Sequence, residues 1–144
     1  MKIGILQLNL TVGDFAGNSA RILKGYEKVV REGAELVLAP ELGLCGYPPR
    51  DLLNREDFIE AHERALQGLA GHVGKVPLLL GGIEKFRGQD GRPLHNVAFW
   101  VQQKKVRVVD RKALLPTYDV LTRTVISSPG ESPSQSGWAK RGWA

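Results

Sequence analysis

Four consecutive apolar residues, Leu36-Val37-Leu38-Ala39, run straight into Pro40, and this short run limits the possible folds more than any other stretch. A strand with one wet face alternates apolar and polar residues. An unbroken apolar run of this length, closed by a turn residue, reads as a strand buried on both faces, as in a parallel sheet. The residues before it supply the matching partner. Residues 2–9 alternate as a strand, with Ile3, Ile5 and Leu8 apolar and Gln7 and Asn9 among them. Asn18 then has the character of a helix N-cap, Ile22, Leu23, Tyr26, Val29 and Val30 follow at helical spacing, and Gly33 stands where a C-terminal glycine belongs. The strand–helix–strand unit predicts a mixed α/β sheet.

Further on, a loop rich in turn residues (Gly43, Gly46, Pro48, Pro49) leads to a second amphipathic helix over residues 54–73. Asn54 is its expected cap, and Phe58, Ala61, Ala65, Leu69 and Val73 are its apolar side. Residues 77–83 read as another buried strand. Residues 94–101 and 104–110 read as two strands of a hairpin turning near Gln102-Gln103, preceded by a loop with Gly88, Asp90 and Gly91. There is no internal repeat.

The chain has 144 residues, 42% of them hydrophobic and 24% charged, which suits one soluble domain with a real core. Its net charge of +5 does not point to nucleic acid, because opposite signs are interspersed up to Val120. No apolar run approaches a membrane span, and the N-terminus lacks a signal-peptide cleavage region. The single cysteine, Cys45, excludes an internal disulfide framework and a cysteine-based zinc site. A cytoplasmic protein that binds neither nucleic acid nor membrane is expected. Beyond Val120 the pattern fails. Residues 121–144 hold five serines and two of the three tryptophans, keep no period, and read as a disordered tail.

The candidate chemistry lies at strand ends, where α/β sheets collect ligands. Glu41 follows the buried run ending Ala39-Pro40, and Lys112 follows the strand Val106–Asp110. A carboxylate and an amine meeting there would serve as a base and an electrostatic stabiliser; taken singly, each is an ordinary surface charge beside a loop. Cys45 lies in a glycine-flanked loop, either as a thiol open to activation or as an inert small hydrophobe. His62, His72 and His95 have no metal-ligand spacing; His62 falls within the second helix and His95 at a strand start, both structural or solvent-facing. Neither a phosphate-binding glycine loop nor a serine nucleophile elbow is present.

Two separated stretches carry a family resemblance. They are Ala39-Pro40-Glu41-Leu42 with Gly46-Tyr47-Pro48-Pro49-Arg50-Asp51-Leu52-Leu53, and Lys112-Ala113-Leu114-Leu115-Pro116-Thr117-Tyr118-Asp119-Val120. Together with Lys2–Asn9, Val12-Gly13-Asp14 and Asn18, they make residues 1–120 resemble the nitrilase-like carbon–nitrogen hydrolase superfamily, and within it the N-terminal glutamine amidotransferase domain of glutamine-dependent NAD synthetases. The resemblance implies an α-β-β-α sandwich with a Glu–Lys–Cys triad. Glu41 would be the general base and Lys112 the oxyanion stabiliser, while Tyr47 and Tyr118 match positions lining the glutamine pocket. A cysteine thiolate would attack the side-chain amide of glutamine and release ammonia. A C-terminal synthetase domain, absent here, would use the ammonia with ATP and magnesium to amidate nicotinic acid adenine dinucleotide. The amidase part needs no cofactor, and a homo-oligomer is possible because relatives assemble. An omega-amidase, a carbamoyl-amide hydrolase, a non-catalytic binding protein and a Cys45 nucleophile are the competing readings.

The chain departs from the family at one decisive place. The family's nucleophilic cysteine follows the lysine motif in a Cys-Glu-Asp segment, and none exists here. The motif usually continues Phe-Asp-Glu, Arg-Tyr-Phe, Pro-Gly. Here Leu121 to Pro129 read Leu-Thr-Arg-Thr-Val-Ile-Ser-Ser-Pro. A single T placed before a permitted set of codons for that stretch restores Phe-Asp-Glu-Asp-Arg-Tyr-Phe-Glu-Pro. Residues 121–144 are therefore expected to be an out-of-frame translation. Residues 1–120 would then be an incomplete glutaminase domain, the N-terminal half of the sandwich, exposing a sheet edge and part of an apolar face and inactive by itself.

Overall fold

The structure, a computed structural model, describes residues 1–85 and 94–112. Tyr118, the loop with Gly88, Asp90 and Gly91, and the segment 121–144 lie outside the described residues. In chain order the elements are β1 (Ile3–Ile5), α1 (Phe15–Arg31), β2 (Leu36–Leu38), a short 3-10 turn (Arg50–Asn54), α2 (Glu56–Ala70), β3 (Leu78–Lys85), β4 (Leu94–Gln102) and β5 (Lys105–Arg111). The strands form one five-stranded sheet in the order β1-β2-β3-β4-β5. β1, β2 and β3 run parallel, Ile3 opposite Leu36 and Val37 opposite Leu78. The pairings of β3 with β4 and of β4 with β5 are antiparallel. The apolar run at Leu36 is an interior parallel strand, as expected, but only Val37 is buried; Leu36 and Leu38, on the face away from the helices, are half-buried.

Both helices cover the same face of this sheet. A methyl group at Gly4 would strike Val29 of α1, and one at Gly82 would strike His62 of α2. The core fills the space between, with Ile22, Val37, Leu44, Leu69, Leu78, Leu80 and Val101 essentially sealed from water; each such side chain contributes roughly 1.5–3 kcal/mol. Tyr26 joins it through its ring. Its hydroxyl donates to the carbonyl of Val76 at 2.7 Å and accepts from the amide of Gly74 at 3.2 Å, and burial raises its pKa above the ordinary phenol value. A second cluster, Leu42, Cys45, Leu53, Phe58, Ile59, Ile83 and Leu94, lies under the loop that follows β2.

Several local expectations are corrected. α1 starts earlier than Asn18: its cap is Asp14, whose carboxylate accepts from the amide of Gly17 at 2.9 Å. Asn18 instead lies buried in the first turn, free to bind loops on either side. Gly33 does stand just past the helix, at φ +89°. α2 begins at Glu56 behind Arg55, which gives no side-chain cap, while Asn54 closes the preceding 3-10 turn. The buried stripe of α2 is Phe58, Ile59, His62, Leu66, Leu69 and Ala70. It is rotated from the predicted side because His62, although polar, faces the core. β1 is only three residues long.

The hairpin turns at Gln103 and Lys104, with φ of +50° and +63°. Such mirror-image turns match the natural twist of the strands they join.

Candidate active site

Glu41 owes its position to a tightly clamped loop. The amide of Ala39 still reaches the carbonyl of Leu79 at 2.9 Å, and Gly43 then turns back onto the carbonyl of Pro40 at 3.0 Å. Leu42, buried to 1% exposure, is held at φ +52°. A bulky side chain rarely adopts that left-handed backbone, which stores on the order of 1–3 kcal/mol of strain. Gly81 of β3 makes this possible: a Cβ there would lie 2.7 Å from Cα of Glu41 and 2.8 Å from the amide nitrogen of Leu42. Asn18 fixes the far end. Its Nδ2 donates to the carbonyls of Thr11 at 2.7 Å and Leu44 at 3.1 Å, and its Oδ1 accepts from the amide of Thr11 at 2.9 Å.

Because a Cβ at Gly82 would meet α2 and one at Gly81 would meet Glu41, Glu41 sits on the face of the sheet away from the helices. Lys112 reaches the same face through a β-bulge. Phe99 pairs with Val108 but Ala98 pairs with Asp110, so Val109 is an extra residue on β5. Bulges re-aim the residues that follow them. Lys112 is thereby brought opposite Asn96, to whose carbonyl its amide donates at 2.9 Å.

Glu41 and Lys112 meet there. The ammonium Nζ donates to Oε1 of Glu41 at 2.8 Å, and Nδ2 of Asn96 donates to the same oxygen at 2.6 Å. The Lys112 contact, with that of Asn96 behind it, holds the Glu41 carboxyl below the ordinary carboxylate value against the opposing effect of partial burial. The side chains of Glu41 and Lys112 are 50% and 38% exposed, so the ion pair adds little to stability, about 0–1 kcal/mol. It matters as geometry: a carboxylate and an ammonium meet on one face of the sheet. Sequence reasoning missed Asn96 and Gly81. The available signals were an asparagine inside a strand, where it packs poorly, and a glycine pair in an otherwise apolar run.

The remaining candidates do not join the pair. Tyr47 is half-exposed on the loop after Gly46, and Tyr118 lies outside the described residues. Cys45 is fully buried. Its Sγ donates to the carbonyl of Leu42 at 3.3 Å, and burial pushes its pKa up to about 12. That is the environment of a packing thiol rather than a nucleophile. His62 is buried, His72 exposed and His95 half-buried. Among the described residues, no group of three or more metal-ligating side chains gathers, and no helix is long and apolar enough to cross a membrane.

A family model described as carbon-nitrogen hydrolase matches residues 2–141. The chain belongs to the carbon–nitrogen hydrolase family. Among curated relatives, the glutamine-dependent NAD(+) synthetase of Synechocystis sp. is 38% identical over 122 residues, 82% of this chain and 22% of the relative. This hydrolase chain therefore spans about a fifth of the length of the synthetases it matches. Two solved structures share its fold. The glutamine-dependent NAD+ synthetase of Acinetobacter baumannii gives a TM-score of 0.76 at 24% identity, covering 88% of this chain and 24% of that one. The amidase of Nesterenkonia sp. gives 0.68 at 23% identity, covering 92% and 49%. The sheet with helices on one face is thus a nitrilase-type α/β layer, as the family resemblance implied.

Proposed function

We propose that this chain is the N-terminal part of the glutamine-hydrolysing domain of an NAD synthetase, acting in the cytoplasm. The observation that carries the reading is the contact of Glu41 with Lys112 at 2.8 Å in a carbon–nitrogen hydrolase whose curated relatives are glutamine-dependent NAD synthetases. In this reading a cysteine thiol gives its proton to Glu41 and its sulfur attacks the carboxamide carbon of glutamine. Lys112 balances the charge on the tetrahedral oxyanion. Glu41 returns the proton to the departing nitrogen, which leaves as ammonia, and water then releases glutamate from the thioester. Tyr47 and Tyr118 contribute to the glutamine pocket. The amide step uses no cofactor, and ATP and magnesium belong with a synthetase domain that consumes the ammonia.

Cys45, the only cysteine, is buried with its thiol pushed to about 12, so the reading assigns the nucleophile to a segment that residues 121–144 replace out of frame. The 144-residue chain is expected to release no ammonia from glutamine. The test is to resequence the DNA from the codon of Tyr118 past that of Ala144 and to assay the product of the restored frame. One added base opening into a Cys-Glu-Asp segment, with ammonia released from glutamine, is the expected result. In that product Glu41→Gln and Lys112→Met each lower kcat by about 100-fold or more. A restored frame without a cysteine, or a product inert to glutamine, overturns the reading.

A further inference from the structure

We propose that Asn96 is the positioning residue of this site: its side-chain amide pins Oε1 of Glu41 and leaves Oε2 as the oxygen that takes up the proton. The inference rests on Glu41 being the base, and it names how that base is aimed.

Asn96 lies on β4, between the strand that carries Gly81 and the strand that leads to Lys112. It is 5% exposed, whereas the two charged groups it joins are open to solvent. A buried amide needs partners, and its Nδ2 finds one in the carboxylate of Glu41 at 2.6 Å. Oε1 already accepts Lys112 Nζ at 2.8 Å. With two charge-assisted donors on that oxygen, its capacity is taken up, and among the described residues no hydrogen bond reaches Oε2. The backbone of Asn96 serves the same end, its carbonyl accepting the amide of Lys112 at 2.9 Å. One residue therefore fixes the carboxylate by its side chain and the start of the lysine segment by its main chain. Among the described residues of β5 and its end, the charged groups on this face include Lys112, Asp110 opposite Ala98 and, farther along, Arg107 opposite Trp100. Glu84 and Arg111 pair with each other on the helix side.

The experiment follows the Glu41 carboxyl carbon and the Asn96 side-chain NH2 by NMR through a pH titration of the labelled 144-residue chain. The expected result is that the Asn96 NH2 signals move with the Glu41 midpoint and stop moving in Glu41→Gln. In Asn96→Leu the Glu41 midpoint rises, by less than in Lys112→Met. In Asn96→Asp two carboxyls face one another and one of them titrates well above the ordinary range. An Asn96 amide that ignores the Glu41 titration, or a Glu41 midpoint unchanged in a folded Asn96→Leu, overturns the proposal. If Asn96→Leu does not fold, the parent titration and Asn96→Asp decide. Glutamine turnover does not enter these readouts, so a restored-frame product inert to glutamine would remove the functional reading and leave this coupling to be judged by itself.

Discussion

Inside α2, His62 sits between the rings of Phe15 and Phe99, with centroids 6.4 and 6.3 Å away. Its Nε2 faces the amide of Ile83 at a long 3.4 Å, and its Nδ1 has no hydrogen-bond partner among the described residues. Burial alone lowers its pKa from 6.5 to about 4. The unfolded chain therefore binds a proton that the folded chain refuses, and stability falls as pH drops from about 6.5 towards 4. The full effect is roughly 3 kcal/mol. His62→Leu should flatten that acid limb, leaving the carboxylates to set what remains, as urea unfolding at stepped pH would measure. The sequence placed His62 on a helix but not in the core. A polar residue at i+3 from Ile59 and four before Leu66 is discounted by any apolar-stripe count, although the spacing puts it on the buried side.

At the scale of elements, the approach of Glu41 to Lys112 was legible and the device that achieves it was not. Both residues follow strands of the same direction, so both fall at the same end of the sheet, and nothing beyond strand order was needed to expect them near one another. The bulge at Val109 is subtler. Its one trace is the adjacent pair Val108-Val109, which breaks the alternation begun by Val106. Were Val109 taken into a regular ladder instead, the end of β5 would slip by one residue, and a one-residue slip moves every following side chain to the other face. Because Val109 is the extra residue, its deletion is expected to remove the bulge yet keep Asp110 opposite Ala98 and Lys112 opposite Asn96, so that the Glu41 titration midpoint stays low, whereas Lys112→Met raises it; NMR titration of the two variants checks the contrast. The cap positions were misread for a related reason: Asn18 and Asp14 are both good caps, and only the loop that Asn18 binds decides between them.

For the whole molecule, the sheet has two unlike sides. Helices seal one side around Ile22, while on the other Ile3 and Ile5 remain 44% and 68% exposed. Ile22→Ala is expected to lower unfolding stability by about 2–5 kcal/mol through the cavity it opens. Ile5→Ala should change it by under about 1 kcal/mol; denaturant unfolding of the two variants side by side checks the contrast. The order β1-β2-β3-β4-β5 has a consequence for how such a chain is made. Each strand lies beside the one synthesised just before it, so no pairing has to wait for a distant segment to arrive. A growing polypeptide can add strands one at a time as it leaves the ribosome, each docking on an edge already in place, so the growing edge moves outward with synthesis while the outer edge of β1 stays where it began.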